Sequence, residues 1–129
     1  MKLTKGIIKA DIITAKQALA YFDEKHIKDM KNIAAYHLQQ AAEKLIKYQI
    51  YKQTSKTNDR KMYTHDLIKL MDYADSEGIV LEIPDYIRDH ANRITEWEAE
   101  SRYDLRFSIR ADTLKKTYNV IEDWFIRAK

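Results

Sequence analysis

The sequence predicts an all-α protein, an up-and-down bundle of about five helices forming a single domain over residues 1–129. Only two glycines and one proline punctuate the 129 residues, too few for an architecture of strands and tight turns. Apolar residues recur at steps of three and four, the period of one helix face. A chain of this length buries roughly two-thirds of its unfolded surface, so it needs neither disulfide nor metal to fold.

The first helix is expected over about residues 4–23, where Ile8, Ile12, Ala15, Leu19 and Phe22 share a face and Lys5, Lys9, Lys16 and Asp23 fall off it. A second helix is expected to start near His26 or Lys28 and run to about Tyr51. The stretch "KQTSKTNDRK" that follows is polar, has no apolar period and reads as a flexible loop. Thr64 is placed as the N-cap of a third helix, with Asp66 in its first turn complementing the helix dipole. Leu67, Leu70, Met71 and Ala74 make its inner stripe, and Gly78 supplies the left-handed residue that stops it.

Pro84 suits the first position of a fourth helix, where a missing N–H costs nothing, and Ile87, Ala91, Ile94 and Trp97 give that helix its inner face. A fifth helix is expected from Ser108 or Ala111, with Leu114, Tyr118, Ile121 and Phe125 on one side.

Composition narrows the function. With no cysteine, disulfides, thiolate metal sites and cysteine nucleophiles are excluded, and a reducing cytoplasm is the expected location. The amino-terminal stretch is interrupted by Lys5, Lys9, Asp11 and Lys16, so it is neither a signal peptide nor a membrane span, and no membrane association is expected. Twenty-three basic and 20 acidic residues give +3, without the clustered bias of a dedicated duplex-DNA binder. A short nucleic acid or a nucleotide remains compatible with that charge. No H-E-x-x-H, regular histidine pair or glycine-rich phosphate loop occurs, so neither metal nor cofactor is expected; His26 and His90 read as surface histidines.

The polar residues of the second helix are ordered. At about 100° per residue, Ala34, Leu38, Ala41, Ala42 and Leu45 share one arc. His37, Gln40, Lys44 and Lys47 share the adjoining arc, with Tyr48 at its border. Read plainly, that strip is a solvated face with a Glu43–Lys47 pair worth a few tenths of a kcal/mol. Read functionally, Lys44 and Lys47 meet phosphate while His37 and Gln40 bond to sugar or base.

The runs Tyr36-His37-Leu38-Gln39-Gln40-Ala41-Ala42-Glu43-Lys44, Thr64-His65-Asp66-Leu67 and Ser101-Arg102-Tyr103, in that order and at that spacing, resemble the HEPN family over about residues 5–127. The resemblance implies a bundle of four or five helices, usually a homodimer, working around nucleotides and RNA. Family members include ribonuclease toxins, partners of small nucleotidyltransferases, and domains that bind nucleoside triphosphates.

Three functions follow as expectations. The first is a non-catalytic domain binding a nucleotide or nucleotide-bearing ligand through His37, Gln40, Lys44, His65, Arg102 and Tyr103, as a homodimer and beside a nucleotidyltransferase. The second is a metal-independent, toxin-like endoribonuclease. It uses Arg60 and His65 of "RKMYTH", which resembles in spacing the Arg-x(4–6)-His motif of family ribonucleases, although Lys61 stands where asparagine, aspartate or histidine is usual. The third is a plain dimerisation or adaptor module, whose dimer would be lost on enlarging the alanine face, for instance at Ala41.

Two segments keep alternative readings. His65 either acts on a ligand, or caps the helix or packs against Tyr63, with Asp66 fixing its ring. "SRYDLRF", if helical, sets a basic line of Arg102 and Arg106 beside an aromatic line of Tyr103 and Phe107, suited to phosphate and base. Otherwise both aromatics complete the core and Arg102 pairs with Glu98 or Glu100.

Overall fold

The computed structural model describes residues 3–55, 59–104 and 106–128, and among them six α-helices and one short 3-10 turn. Helix α1 (Lys5–Lys25) begins at Thr4, whose hydroxyl accepts from Ile7 N at 3.4 Å. It ends at His26, a left-handed residue (φ 55°) whose N–H reaches Phe22 O at 2.7 Å. Two residues later α2 (Lys28–Gln53) starts and runs back antiparallel along α1.

Helix α2 is the centre of the molecule. It is packed by α1, by α3 (Leu67–Ser76), by α5 (Ala91–Tyr103) and by α6 (Ala111–Arg127), while the short α4 (Asp85–Asp89) bridges to α5 and α6. The alanines of α2 explain how four neighbours fit: Ala34, Ala35, Ala41 and Ala42 are fully buried and let other helices come close. That corrects the expectation of a dimer face at Ala41, because the alanine arc is consumed inside one chain. Ile8, Ile12, Leu38, Leu45, Ile87, Ile94, Leu114 and Ile121 complete the same core.

The start of α3 also differs from expectation. Its N-cap is Asp66, whose carboxylate accepts from Ile68 N at 2.9 Å and Lys69 N at 3.2 Å. The Thr64 hydroxyl accepts instead from Asp66 N at 3.1 Å, holding the approach to the helix. A carboxylate answers the dipole better than a hydroxyl, so the charged residue takes the cap. The end of α3 is as expected: Gly78 has φ 69°, and Ile79 N reaches back to Ala74 O at 2.9 Å.

Residues 79–83 then run extended beside α2, and two glutamines one helical turn apart supply the backbone partners a sheet would have given. Gln49 donates to Glu82 O (3.0 Å) and accepts from Glu82 N (2.7 Å). Gln53 repeats this with Val80 O (2.8 Å) and Val80 N (3.2 Å). The arrangement satisfies peptide groups that would otherwise be left to solvent at the edge of the core.

Pro84 is the residue before α4 and not its first turn, and the expected fourth helix is two helices. The break is at His90, whose ring Nδ1 and backbone N both turn to Tyr86 O, at 2.8 and 3.1 Å. The backbone bond is the ordinary helical one, and across the break Ile87, Ala91, Ile94 and Trp97 still share one buried face. In α6, Leu114 and Ile121 are fully buried, Trp124 is also buried, and Phe125 is half-buried.

The expected loop is shorter than the sequence suggested. Helix α2 continues to Gln53, residues 56–58 lie outside the described residues, and Arg60–Met62 form the 3-10 turn. Buried Met62 anchors that turn, and Asp59 caps it at 2.9 Å to Lys61 N.

Candidate functional site

Six consecutive residues of α2, Leu38 to Glu43, are buried, three of them polar. The polar strip is therefore not a fully wet helix face: Gln40 is buried, and His37, Lys44 and Lys47 are half-buried. A buried carboxylate without partners costs several kcal/mol. Each of three buried carboxylates is instead met by named cations or amides.

Asp11 of α1 binds two residues of α2: His37 Nδ1 donates to Oδ1 at 2.8 Å and Lys44 Nζ to Oδ2 at 2.6 Å. Glu43 accepts from Lys47 Nζ at 2.9 Å, from His65 Nδ1 at 2.8 Å and from Gln39 Nε2 at 3.2 Å. Gln39 Nε2 also donates to the His65 carbonyl at 2.8 Å, so the segment leading into α3 is pinned twice. Glu98 of α5 pairs with Arg102, which also donates through Nε to the Glu98 carbonyl at 3.1 Å. His65 Nε2 lies 3.7 Å from the same Glu98 oxygen.

Most of the expected residues come together here. His37 and Lys44 meet at Asp11, and His65 and Arg102 meet at Glu98. The Arg102 guanidinium carbon is 5.2 Å from the Tyr36 ring centre and 4.8 Å from that of Tyr103. Tyr36 is in turn edge-on to His37 at 5.2 Å. Together Tyr36, His37 and Arg102 line a cleft of about 250 Å³ between α2 and α5.

Other expected residues are elsewhere. Gln40 is buried and its amide donates inward to Gln39 at 2.7 Å, so it bears on the surface only through that neighbour. Helix α5 ends at Tyr103, so the twin lines expected of "SRYDLRF" do not form: Tyr103 is exposed, Phe107 is buried, and Leu105 lies outside the described residues. Arg60 makes no hydrogen bond or ion pair with His65 among the described residues. It lines a separate groove with Lys61, Tyr63, Lys69 and Tyr73.

Asp11 and Gln39 were not singled out from sequence as members of the cluster, and Glu43 and Glu98 were read as ion-pair partners but not as buried hubs. Two of them carried a readable signal. Asp11 falls three residues after Ile8 and four before Ala15, within the apolar face of α1. Glu98 continues the step from Ile87 through Ala91 and Ile94. A charge on an inner face announces a buried partner.

The electrostatics are balanced. Lys44, Lys47 and Arg102 face Asp11, Glu43 and Glu98, while the two histidines add charge only when protonated. Because a carboxylate can only accept, the ring N–H of His37 and of His65 is fixed at Nδ1, leaving Nε2 for other bonds. Side-chain exposure is 57% for His65, 42% for Arg102, 28% for His37 and 23% for Lys44. Nearby, burial pushes the Tyr51 hydroxyl up from its ordinary range, reinforced by Tyr63 and Glu43. No metal-ligating group of three side chains and no membrane-spanning helix occurs among the described residues.

Bundle and cluster together define a small all-α domain with its polar centre on one central helix. A family model of the HEPN domain matches residues 11–126, and the chain belongs to that family. No curated protein and no solved structure matches it significantly.

Proposed function

We propose that the domain binds a nucleotide or nucleotide-bearing ligand, without cleaving it, on the face formed by His37, Lys44, His65, Arg102 and Tyr103. In this reading it acts as a homodimer beside a nucleotidyltransferase. The observation that carries the binding assignment is the anchoring of each outward donor on a buried carboxylate: Asp11 behind His37 and Lys44, Glu43 behind His65, Glu98 behind Arg102. Donors held this way lose little freedom on meeting a ligand, which favours affinity. Arg102 between two tyrosine rings adds a planar cation suited to a phosphate or a base. Gln40 serves as a positioning residue through Gln39. Calorimetry with adenosine triphosphate on Lys44→Ala and Arg102→Ala tests the site: unchanged affinity in folded variants removes it.

A second reading has its own observation. His65 with Nδ1 on Glu43, beside the Arg102 cation, is chemically able to move a proton next to a phosphodiester. The arginine of a metal-independent ribonuclease would then be Arg102 rather than Arg60. RNA cleavage in EDTA, abolished by His65→Ala, would establish it.

A further inference from the structure

The groove beside the 3-10 turn contrasts chemically with the α2 cluster. In the cluster each cation leans on a buried carboxylate. In the groove, Arg60, Lys61 and Lys69 make no ion pair among the described residues. Asp72 is the one carboxylate among the groove's described lining residues. The nearby Asp59 is turned to the backbone as the cap of the turn, at 2.9 Å to Lys61 N. The groove has a volume of about 490 Å³, within the ordinary range for small-ligand sites. Tyr63, 70% exposed, and Tyr73 provide aromatic walls.

Uncompensated cations around an open groove attract a multivalent anion, and an exposed tyrosine ring offers a stacking surface next to it. Its floor is firm, since Met62 fixes the turn in the core and Asp66 caps the helix that carries Lys69.

We propose that this groove is a second site, separate from the α2 face, for a phosphate-bearing ligand held by Arg60, Lys61 and Lys69 with a planar ring against Tyr63. Two sources share that chemistry, a free nucleoside polyphosphate and the phosphorylated end of a single strand. Calorimetry at low salt, where screening is weak, would use three probes: inorganic tripolyphosphate, adenosine triphosphate, and a short 5′-phosphorylated oligoadenylate. The wild-type protein is expected to bind at least one, with the tighter of the last two naming the source. In the Arg102→Ala protein, where the α2 face is silenced, Lys61→Gln with Lys69→Gln should weaken that binding at least tenfold, and Arg60→Gln alone by several-fold. Tyr63→Ala should weaken only the ring-bearing probes, and Arg102→Ala should leave groove binding unchanged, which separates this proposal from the α2 site. All these positions are exposed, so circular dichroism should report folded variants. Absence of binding for all three probes in the Arg102→Ala protein, or equal affinity of that protein with and without the folded double substitution, would overturn the proposal.

Discussion

His65 and Arg102 meet at one oxygen, Oε1 of Glu98, which Arg102 pairs with directly and His65 Nε2 approaches to 3.7 Å. One residue enters from the segment before α3 and the other from the last turn of α5. A buried carboxylate thus brings distant parts of the chain to a single exposed edge, and Glu43 holds the other side of the histidine ring. The consequences fall partly on stability and partly on binding.

Removing a carboxylate hub should cost more where its partners are more deeply buried. Asp11→Ala leaves Lys44 and His37 with some access to water and should cost about 2 kcal/mol, below the ~3–5 typical of a fully buried pair. Glu43→Ala leaves Lys47, the least exposed of these cations, unpaired and takes one acceptor from the fully buried Gln39, and should cost about 3 kcal/mol or more. Urea unfolding ranks the two; the reverse order would contradict the burial argument.

The glutamine clamp should behave as backbone pairing. Gln49→Ala and Gln53→Ala each remove two bonds to residues 79–83 and should lower stability by about 1–2 kcal/mol. Hydrogen exchange should then speed up at Glu82 N in the first variant and at Val80 N in the second.

Tyr118 predicts a pH dependence. Burial, with its 2.5 Å bond to Glu122 and the charge of that residue, raises the hydroxyl from 10.0 to about 12. Raising an acid's pKa on folding favours the neutral form in the folded state. The contribution is therefore complete below pH 10 and is lost as pH climbs toward about 12. Tyr118→Phe should flatten the stability profile in that window, and an unchanged slope would show that the group does not titrate there.

Most of the fold was legible in the sequence because helix periodicity and scarce glycine and proline both act locally. Gly78 could be placed because its left-handed stop depends on its own backbone. The split at His90 was not legible, since no glycine or proline marks it in the sequence. The site was half legible. Residue types and order marked His37, Lys44, His65 and Arg102, but the solvated-face reading failed because one helix's pattern does not reveal how many neighbours it has. Asp11 and Glu98 stood on apolar faces in plain view, and Arg102 could be read as a partner of Glu98 on the same helix; the meeting of Asp11 with His37 and Lys44, and of Glu98 with His65, spans separate parts of the chain and could not.

RNA incubated with the protein in EDTA should stay intact if the site binds without cleaving. Cleavage that disappears with His65→Ala and with Arg102→Ala, yet persists with Arg60→Ala, would instead support the His65–Arg102 ribonuclease.

The binding face is tested most directly by titrating adenosine triphosphate into the Lys61→Gln, Lys69→Gln protein, where the second groove is silenced, and into the same protein carrying Lys44→Ala or Arg102→Ala. The account predicts binding in the first and a loss of at least tenfold, about 1.4 kcal/mol, in each of the others. No heat of binding in the first, or equal affinity in all three folded proteins, would contradict it.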